Sequence, residues 1–314
     1  PVLNLRDRMP GLAAATEKSL GLAARRSLPA WRRDPFRGRA ELARPAAPGA
    51  RPAPAPAPPQ DAAGAAKPPR VVLLADTFNR YFEPENLRAA VAVLGAAGCD
   101  VDVAEPAAGD ASRPLCCGRT YLAAGMIEEA RAEARRLVNA LAPVADEGAA
   151  IVGLEPACLL GLRDELPGLL PGGAAVRVGG AALLFEEFLV REQRAGRLHL
   201  PLRPAAGRRA LVHGHCHQKA FGAMGSVVDA LRLVPELEVS TLASSCCGMA
   251  GAFGYDTRYI DVSMQMAEAS LLPAVRAAGP DTLVVADGTS CRHQIRDGAA
   301  RDARHVARVL ADAL

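Results

Sequence analysis

The sequence predicts an α/β protein built from a duplicated parallel-sheet domain, with metal-ligand loops at the carboxyl ends of its strands. Three observations lead there. From residue 70 onward, short apolar runs of buried-strand type alternate with stretches of helical periodicity. That order occurs twice, with a repeat of roughly 130 residues, too long for a solenoid unit. Each copy also carries a Cys-Cys-Gly signature at a matching place, Cys116-Cys117-Gly118 and Cys246-Cys247-Gly248. Strands alternating with helices form parallel sheets of Rossmann-like character, and the loops at the carboxyl ends of such strands lie side by side.

The elements follow in order. Residues 1–42 read as an N-terminal helical arm: Leu12, Leu20, Leu22 and Ala23 lie between basic residues up to about residue 35. The arm either packs on a neighbouring domain or is held loosely. Residues 43–69, dominated by Ala and Pro, cannot form a core and read as a linker of extended polyproline geometry. The first repeat is placed at 70–205. It has strands at 71–75, 100–104 and 149–154, and helices at 84–97, 122–141 and 182–191. The second is placed at 206–314, with strands at 209–213, 237–242 and 281–286 and helices at 223–233, 259–278 and 300–314.

Composition bounds the function. Half of the 314 residues are apolar, which is ample for a core. The formal net charge of +3 is too small to argue for nucleic acid or an anionic membrane, and no apolar run approaches a membrane span. The first residue is Pro and no secretory signal is visible, so a fragment or trimmed product is expected. Adjacent cysteines lie about 3.8 Å apart at Cα, below the usual disulfide range. The chain therefore reads as cytoplasmic with reduced or metal-bound thiols, a peripheral position at the inner face of a membrane being compatible with this.

The chemistry sits in seven of the eight cysteines. In the second repeat, Cys216 is followed after 29 residues by Cys246-Cys247, and 43 residues later by Cys291. Four thiolates from three adjacent loops suit either a cubane iron–sulfur cluster or an all-thiolate zinc site. Gly248, Gly251 and Gly254 let backbone approach such a centre. The first repeat has Cys116, Cys117 and Cys158, but reads Ala75-Asp-Thr-Phe-Asn79 where Cys216 would be. Three thiolates leave an open iron, or Asp76 as an oxygen ligand, or one site shared by all seven cysteines. Cys99, at the opposite end of its element, reads as a packing residue. His213, His215, His217 and His293 flank the ligands. For each alone a supporting role is favoured, while tuning of potential, ligation and binding of an acidic substrate stay open. Buried cysteines in an ordinary core would not explain two Cys-Cys-Gly signatures at matching positions.

With these residues in view, the chain resembles the CCG (cysteine-rich) domain family. That family includes iron–sulfur subunits of glycolate oxidase and anaerobic glycerol-3-phosphate dehydrogenase, and heterodisulfide reductase. More closely it is similar to the C-terminal part of fused FAD-linked oxidases of the D-lactate or D-2-hydroxyglutarate dehydrogenase type. The resemblance rests on His213-Gly-His-Cys-His-Gln-Lys-Ala220, Ser245-Cys-Cys-Gly-Met-Ala-Gly-Ala-Phe-Gly-Tyr255 and Ala286-Asp-Gly-Thr-Ser-Cys-Arg-His-Gln294. Asp76-Thr-Phe-Asn-Arg-Tyr81 and Glu155-Pro-Ala-Cys158 fit as well. It covers about 70–314 and extends to the arm before it.

The resemblance implies an iron–sulfur electron carrier, of 4Fe-4S type, taking electrons from an FAD-bearing part or subunit that oxidises a 2-hydroxy acid. It implies Cys116, Cys117, Cys158, Cys216, Cys246, Cys247 and Cys291 as metal ligands. The chain departs from the family in having one cysteine, not a Cys-x-x-Cys pair, after each third strand. It also lacks a ferredoxin-type cysteine run and an FAD-binding half, so alone it is not expected to oxidise substrate. The alternatives are a zinc domain that docks the flavin part and a thiol- or disulfide-reducing module using a site-open cluster.

Overall fold

The computed structural model describes residues 2–42, 68–110 and 113–314. All of the expected linker except its last two residues lies outside the described residues. Two four-stranded, all-parallel sheets form the frame. The first contains β1 (Arg70–Leu74), β2 (Asp100–Val103), β3 (Ala150–Gly153) and β4 (Ala182–Leu184), in the order β2-β1-β3-β4. The second contains β5 (Arg209–Val212), β6 (Glu238–Thr241), β7 (Leu283–Val285) and β8 (Ala303–Arg304), in the order β6-β5-β7-β8. The identical order makes the duplication visible in three dimensions.

The inner strands β1, β3 and β7 are buried on both faces, which is why they read as continuous apolar runs rather than alternating ones, while the edge strands β2 and β6 are largely open. Side chains of β1 nevertheless divide by parity. Val71 and Leu73 enter a core that includes residues of both repeats, whereas Val72 and Leu74 enter a core confined to the first repeat apart from Ala223. In β7, Val285 faces the shared core and Val284 a third core under the outer helices of the second repeat. Between the sheets lie the helices Pro84–Ala96, Phe185–Arg194, Met224–Leu231 and Val306–Ala313. The last packs on the first, and Phe185–Arg194 packs on Met224–Leu231, so each contact joins one repeat to the other.

Five expectations are corrected. The helix expected at 122–141 is two, Arg119–Ala123 and Ile127–Asp146, because Gly125 turns the chain at φ 75°. The one expected at 259–278 is also two, Ile260–Glu268 and Leu271–Ala277, since Pro273 has no N–H to donate across the junction. At 182–191 the chain first forms β4 and only then the helix Phe185–Arg194. The C-terminal helix expected from residue 300 begins at Val306, after β8. Left-handed Ala300 (φ 49°) ends an unanticipated helix, Thr289–Ala299. Finally, Cys158, Cys216 and Cys291 sit in the first turns of helices rather than before them.

The arm is docked. Leu22 bridges Asp256, the buried Arg26 donates to Gly254 O at 3.0 Å, and Ser27 Oγ lies 2.9 Å from His293 Nε2. Further on, Trp31 stacks edge-on against Phe82, and the Phe36 amide donates to Arg80 O. The arm thus touches the second repeat and then the first. Cys99 packs against the shared core as expected.

An ion pair between buried Arg292 and partly buried Glu83 also ties the repeats. The Arg292 guanidinium pairs with Glu83, whose Oε2 also accepts from Thr289 Oγ1 at 2.8 Å. Burial alone would raise the Glu83 carboxyl from its ordinary 4.5, but the Arg292 charge and hydrogen bonds hold it at about 2. A carboxyl so depressed contributes roughly 3 kcal/mol at neutral pH. That contribution is present above about pH 4.5 and is lost as pH falls toward 2. Glu83→Gln is expected to lower unfolding stability by roughly 3 kcal/mol at pH 7 and to flatten its decline through that window. Urea titrations at several pH values check this.

Candidate metal centres

Each cysteine set forms at the carboxyl ends of its sheet, Cys117 packing against the core of the first repeat and Cys247 and Cys291 lying in the third core, that of the second. The helices Pro156–Leu160 and Cys216–Ala220, which carry Cys158 and Cys216, pack on each other.

The two Cys-Cys-Gly loops share one conformation. Gly118 and Gly248 are left-handed (φ 74° and 89°), and their amides point back at the first thiol of the pair. Gly118 N donates to Cys116 Sγ at 3.5 Å and Gly248 N to Cys246 Sγ at 3.3 Å. A Cβ at Gly248 would lie 2.1 Å from Ser263 O, so only glycine lets the helix Ile260–Glu268 seat this close.

In the second repeat the thiols form a chain of contacts, Cys216 to Cys246, Cys246 to Cys247 and Cys247 to Cys291. Sulfurs this close cannot all ionise. Hydrogen bonds from Cys216 and Cys247 hold Cys246 at about 2, and the contact with Cys247 holds Cys291 well below the ordinary thiol range. Cys216 and Cys247, bonded to those thiolates, are pushed up and keep their protons. A cation would release those protons and take up the charge. Cys247 and Cys291 are buried, while Cys216 and Cys246 are partly open. Cys247 Sγ, Cys291 Sγ and a ring nitrogen of His213 all lie within 4.8 Å of one another.

The first repeat brings Cys117 Sγ and Cys158 Sγ to 3.2 Å, with Cys116 beside them. The bond to Cys117 raises Cys116. Cys117 lowers Cys158, but burial together with the charges of Asp76, Glu155 and Cys116 outweighs that and leaves Cys158 at about 11. Asp76 is not free to complete this set. Its Oδ1 accepts from the Phe78 and Asn79 amides and its Oδ2 from Asn79 Nδ2. The donors fit a thiolate-bound metal in both repeats, more fully in the second.

The surrounding polar groups were only partly legible. Gln218, the last residue of His-Cys-His-Gln, is fully buried and joins three elements. Its Oε1 accepts from His215 N at 3.0 Å, and its Nε2 donates to Glu186 Oε1 at 2.7 Å and Asp287 Oδ2 at 2.9 Å. Asp287 Oδ1 in turn accepts from Val306 N. This fixes the Cys216 helix against the loop leading to Cys291 and against the first repeat. Its only sequence signal was the glutamine in the motif. Glu155, buried at the interface, accepts from Thr289 N at 2.9 Å. Burial, then the nearby Asp76, pushes its carboxyl well up. Among the described residues no helix is long and apolar enough to cross a membrane.

Comparison with known proteins agrees with this geometry. The family model for the CCG cysteine-rich domain matches twice, at residues 76–163 and 210–296. The chain is 30% identical over 243 residues to a subunit of the anaerobic glycerol-3-phosphate dehydrogenase of Escherichia coli (strain K12), covering 76% of this chain and 57% of that protein. It is 30% identical over 241 residues to D-2-hydroxyglutarate dehydrogenase of Pseudomonas putida, covering 75% of this chain and 21% of that enzyme. With lactate utilization protein A 1 of Bacillus mycoides it shares 26% over 245 residues, 73% of this chain and 91% of that protein. The chain thus spans little more than half of the first relative and about a fifth of the second. Two matched domains, each with its Cys-Cys-Gly loop at the carboxyl end of a parallel sheet, make this chain a member of the CCG cysteine-rich domain family.

Proposed function

We propose that the chain is an iron–sulfur electron-transfer module, working with an FAD-bearing dehydrogenase part or subunit that oxidises a 2-hydroxy acid. The observation that carries this is the convergence of Cys216, Cys246, Cys247 and Cys291 into one group of sulfurs, with the Gly248 amide aimed at it. Thiolates in contact, with N–H groups directed at sulfur, suit an anionic cluster that stores an electron. Cys116, Cys117 and Cys158 form the corresponding set of the first repeat, 70–205, facing that of the second, 206–314. Two neighbouring centres give an electron a short path across the interface. The partly open Cys216 and Cys246 place the edge of the second centre nearest to a docked donor or acceptor. Relatives that are a dehydrogenase subunit, a 2-hydroxy-acid dehydrogenase and a lactate utilization protein support the choice of partner. A cytoplasmic position belongs to the same reading, supported by eight free cysteines.

The test is iron, zinc and acid-labile sulfide content of anaerobically purified protein. Iron matched by sulfide, with 4Fe-4S-type absorbance bleached by dithionite, is the expected result. Zinc without sulfide would replace the redox reading by a structural one.

A further inference from the structure

We propose that His213 is itself a metal ligand of the second centre, through Nε2, so that this centre is held by nitrogen as well as sulfur. The inference rests on the reading that the second cysteine set binds a metal. It is carried by the position and state of one ring.

His213 directly follows β5, and its amide donates to Val285 O at 2.8 Å, which fixes its backbone to the neighbouring strand. The side chain is 2% exposed. One ring nitrogen is held: Nδ1 lies 2.8 Å from Ser244 Oγ. Ser244 is itself braced by Lys219, whose ammonium donates to Ser244 O, Ser244 Oγ and Ser245 O. The other nitrogen, Nε2, is buried and has no oxygen or nitrogen partner; the group beside the ring is the Cys291 sulfur. Leaving such an atom unpaired costs on the order of 1–3 kcal/mol unless something else occupies its lone pair. Beside the ring lie Cys247 and Cys291, with one donor atom of each of the three residues inside 4.8 Å, and with Nδ1 taken by Ser244 the free donor of the ring is Nε2. The ring thus has no oxygen or nitrogen partner at Nε2, yet lies near enough to both sulfurs to share an ion with them. Bonds of about 2.0–2.1 Å to nitrogen and 2.3 Å to sulfur fill such a space. A histidine held at one nitrogen by a polar neighbour, with the other facing thiols, is the arrangement found at metal sites.

The other histidines are engaged differently. His305 Nδ1 accepts from Ala307 N, and its Nε2 reaches Leu154 O. His293 is taken up by Ser27, Arg296 and Asp297. His215 Nδ1 caps its helix by accepting from His217 N. His217 Nδ1 is also buried without a partner, but its ring stacks on His215, and no group of three ligands among the described residues includes it. The first repeat provides an internal contrast. Val212 pairs with Val285 as Leu74 pairs with Gly153, so the residue matching His213 is Ala75. Only the second repeat has a nitrogen donor at this position.

A neutral imidazole brings no charge where a cysteine at the same position would bring a thiolate, so the centre is less negative and easier to reduce with His213 than with a cysteine there. The experiment uses the full chain labelled with 15N-histidine, purified anaerobically and reduced. Pulsed EPR is expected to show one strongly coupled histidine nitrogen on a reduced centre. The coupling should vanish in His213→Cys, with a fall in midpoint potential, and should persist in His217→Gln. An iron–sulfur signal in the wild-type chain without that nitrogen overturns the ligation and leaves the electron-transfer reading standing. If the chain holds zinc without sulfide, X-ray absorption decides: a Zn–N contribution lost in His213→Cys keeps the ligand while the redox reading falls, and purely sulfur scattering removes both. No metal after anaerobic purification also removes both.

Discussion

Cys291→Ser is expected to remove one centre from the anaerobically purified protein. The visible absorbance of that centre disappears, and the remaining iron is that of the first repeat. Cys246→Ser should do the same. Cys291 is buried and in contact with Cys247 and His213, so a hydroxyl there can neither supply thiolate charge nor avoid the cost of burial. The structural effect should be large as well. Metal-binding free energy is folding free energy where the site exists only in the folded chain, and for thiolate-bound zinc it is on the order of 10 kcal/mol. The variant should therefore melt far below the loaded wild type but close to the wild type stripped of metal. Cys99→Ser, outside both sets, should retain full absorbance, and Cys158→Ser should lose only the signal of the first repeat. Retained absorbance and full iron in both Cys246→Ser and Cys291→Ser would overturn the assignment.

Gly248→Ala is the second substitution with a large expected effect, and it acts through backbone alone. The added methyl would meet Ser263 O at 2.1 Å, at a φ of +89° that an L side chain rarely adopts. Left-handed strain costs on the order of 1–2 kcal/mol, and forcing apart a packed backbone adds about 1–3 kcal/mol. A loss of about 2–5 kcal/mol is expected in chemical denaturation, with a weakened second centre, because the Gly248 amide would no longer reach Cys246 Sγ. Gly251→Ala separates the two causes. Gly251 has φ +65° but no atom within 4 Å of the added methyl, so it should lose only about 1 kcal/mol and no metal.

Much of this was legible in the chain. Strands buried on both faces announce themselves as apolar runs, and cysteines placed after such runs must gather at one edge. That logic located both cysteine sets without a coordinate. What escaped was set by short-range or through-space effects. β4 and β8 are too short to distinguish from the start of a helix. The breaks at Gly125 and Pro273 fall inside periodic apolar stretches whose pattern continues across them. Four histidines near the cysteines look alike in sequence. Only the Nε2 of His213, without an oxygen or nitrogen partner, against the fully engaged ring of His293 separates a ligand from a brace. Gln218, Glu186 and Asp287 come from three distant segments, and no local pattern announces that one amide will bridge two carboxylates.

The layer of helices between the sheets has a consequence for how the two halves could diverge. A single repeat would expose the apolar face that Pro84–Ala96 and Phe185–Arg194 now turn toward the second repeat, and a second identical copy would cover it. Such a homodimer must repeat every side chain on both sides of its axis. Joining the copies in one polypeptide breaks that obligation. Ala75 can then stand opposite His213, and Thr77 opposite Cys216, without disturbing the shared core. Covalent fusion thus lets one architecture hold two inequivalent sites, and with them a direction.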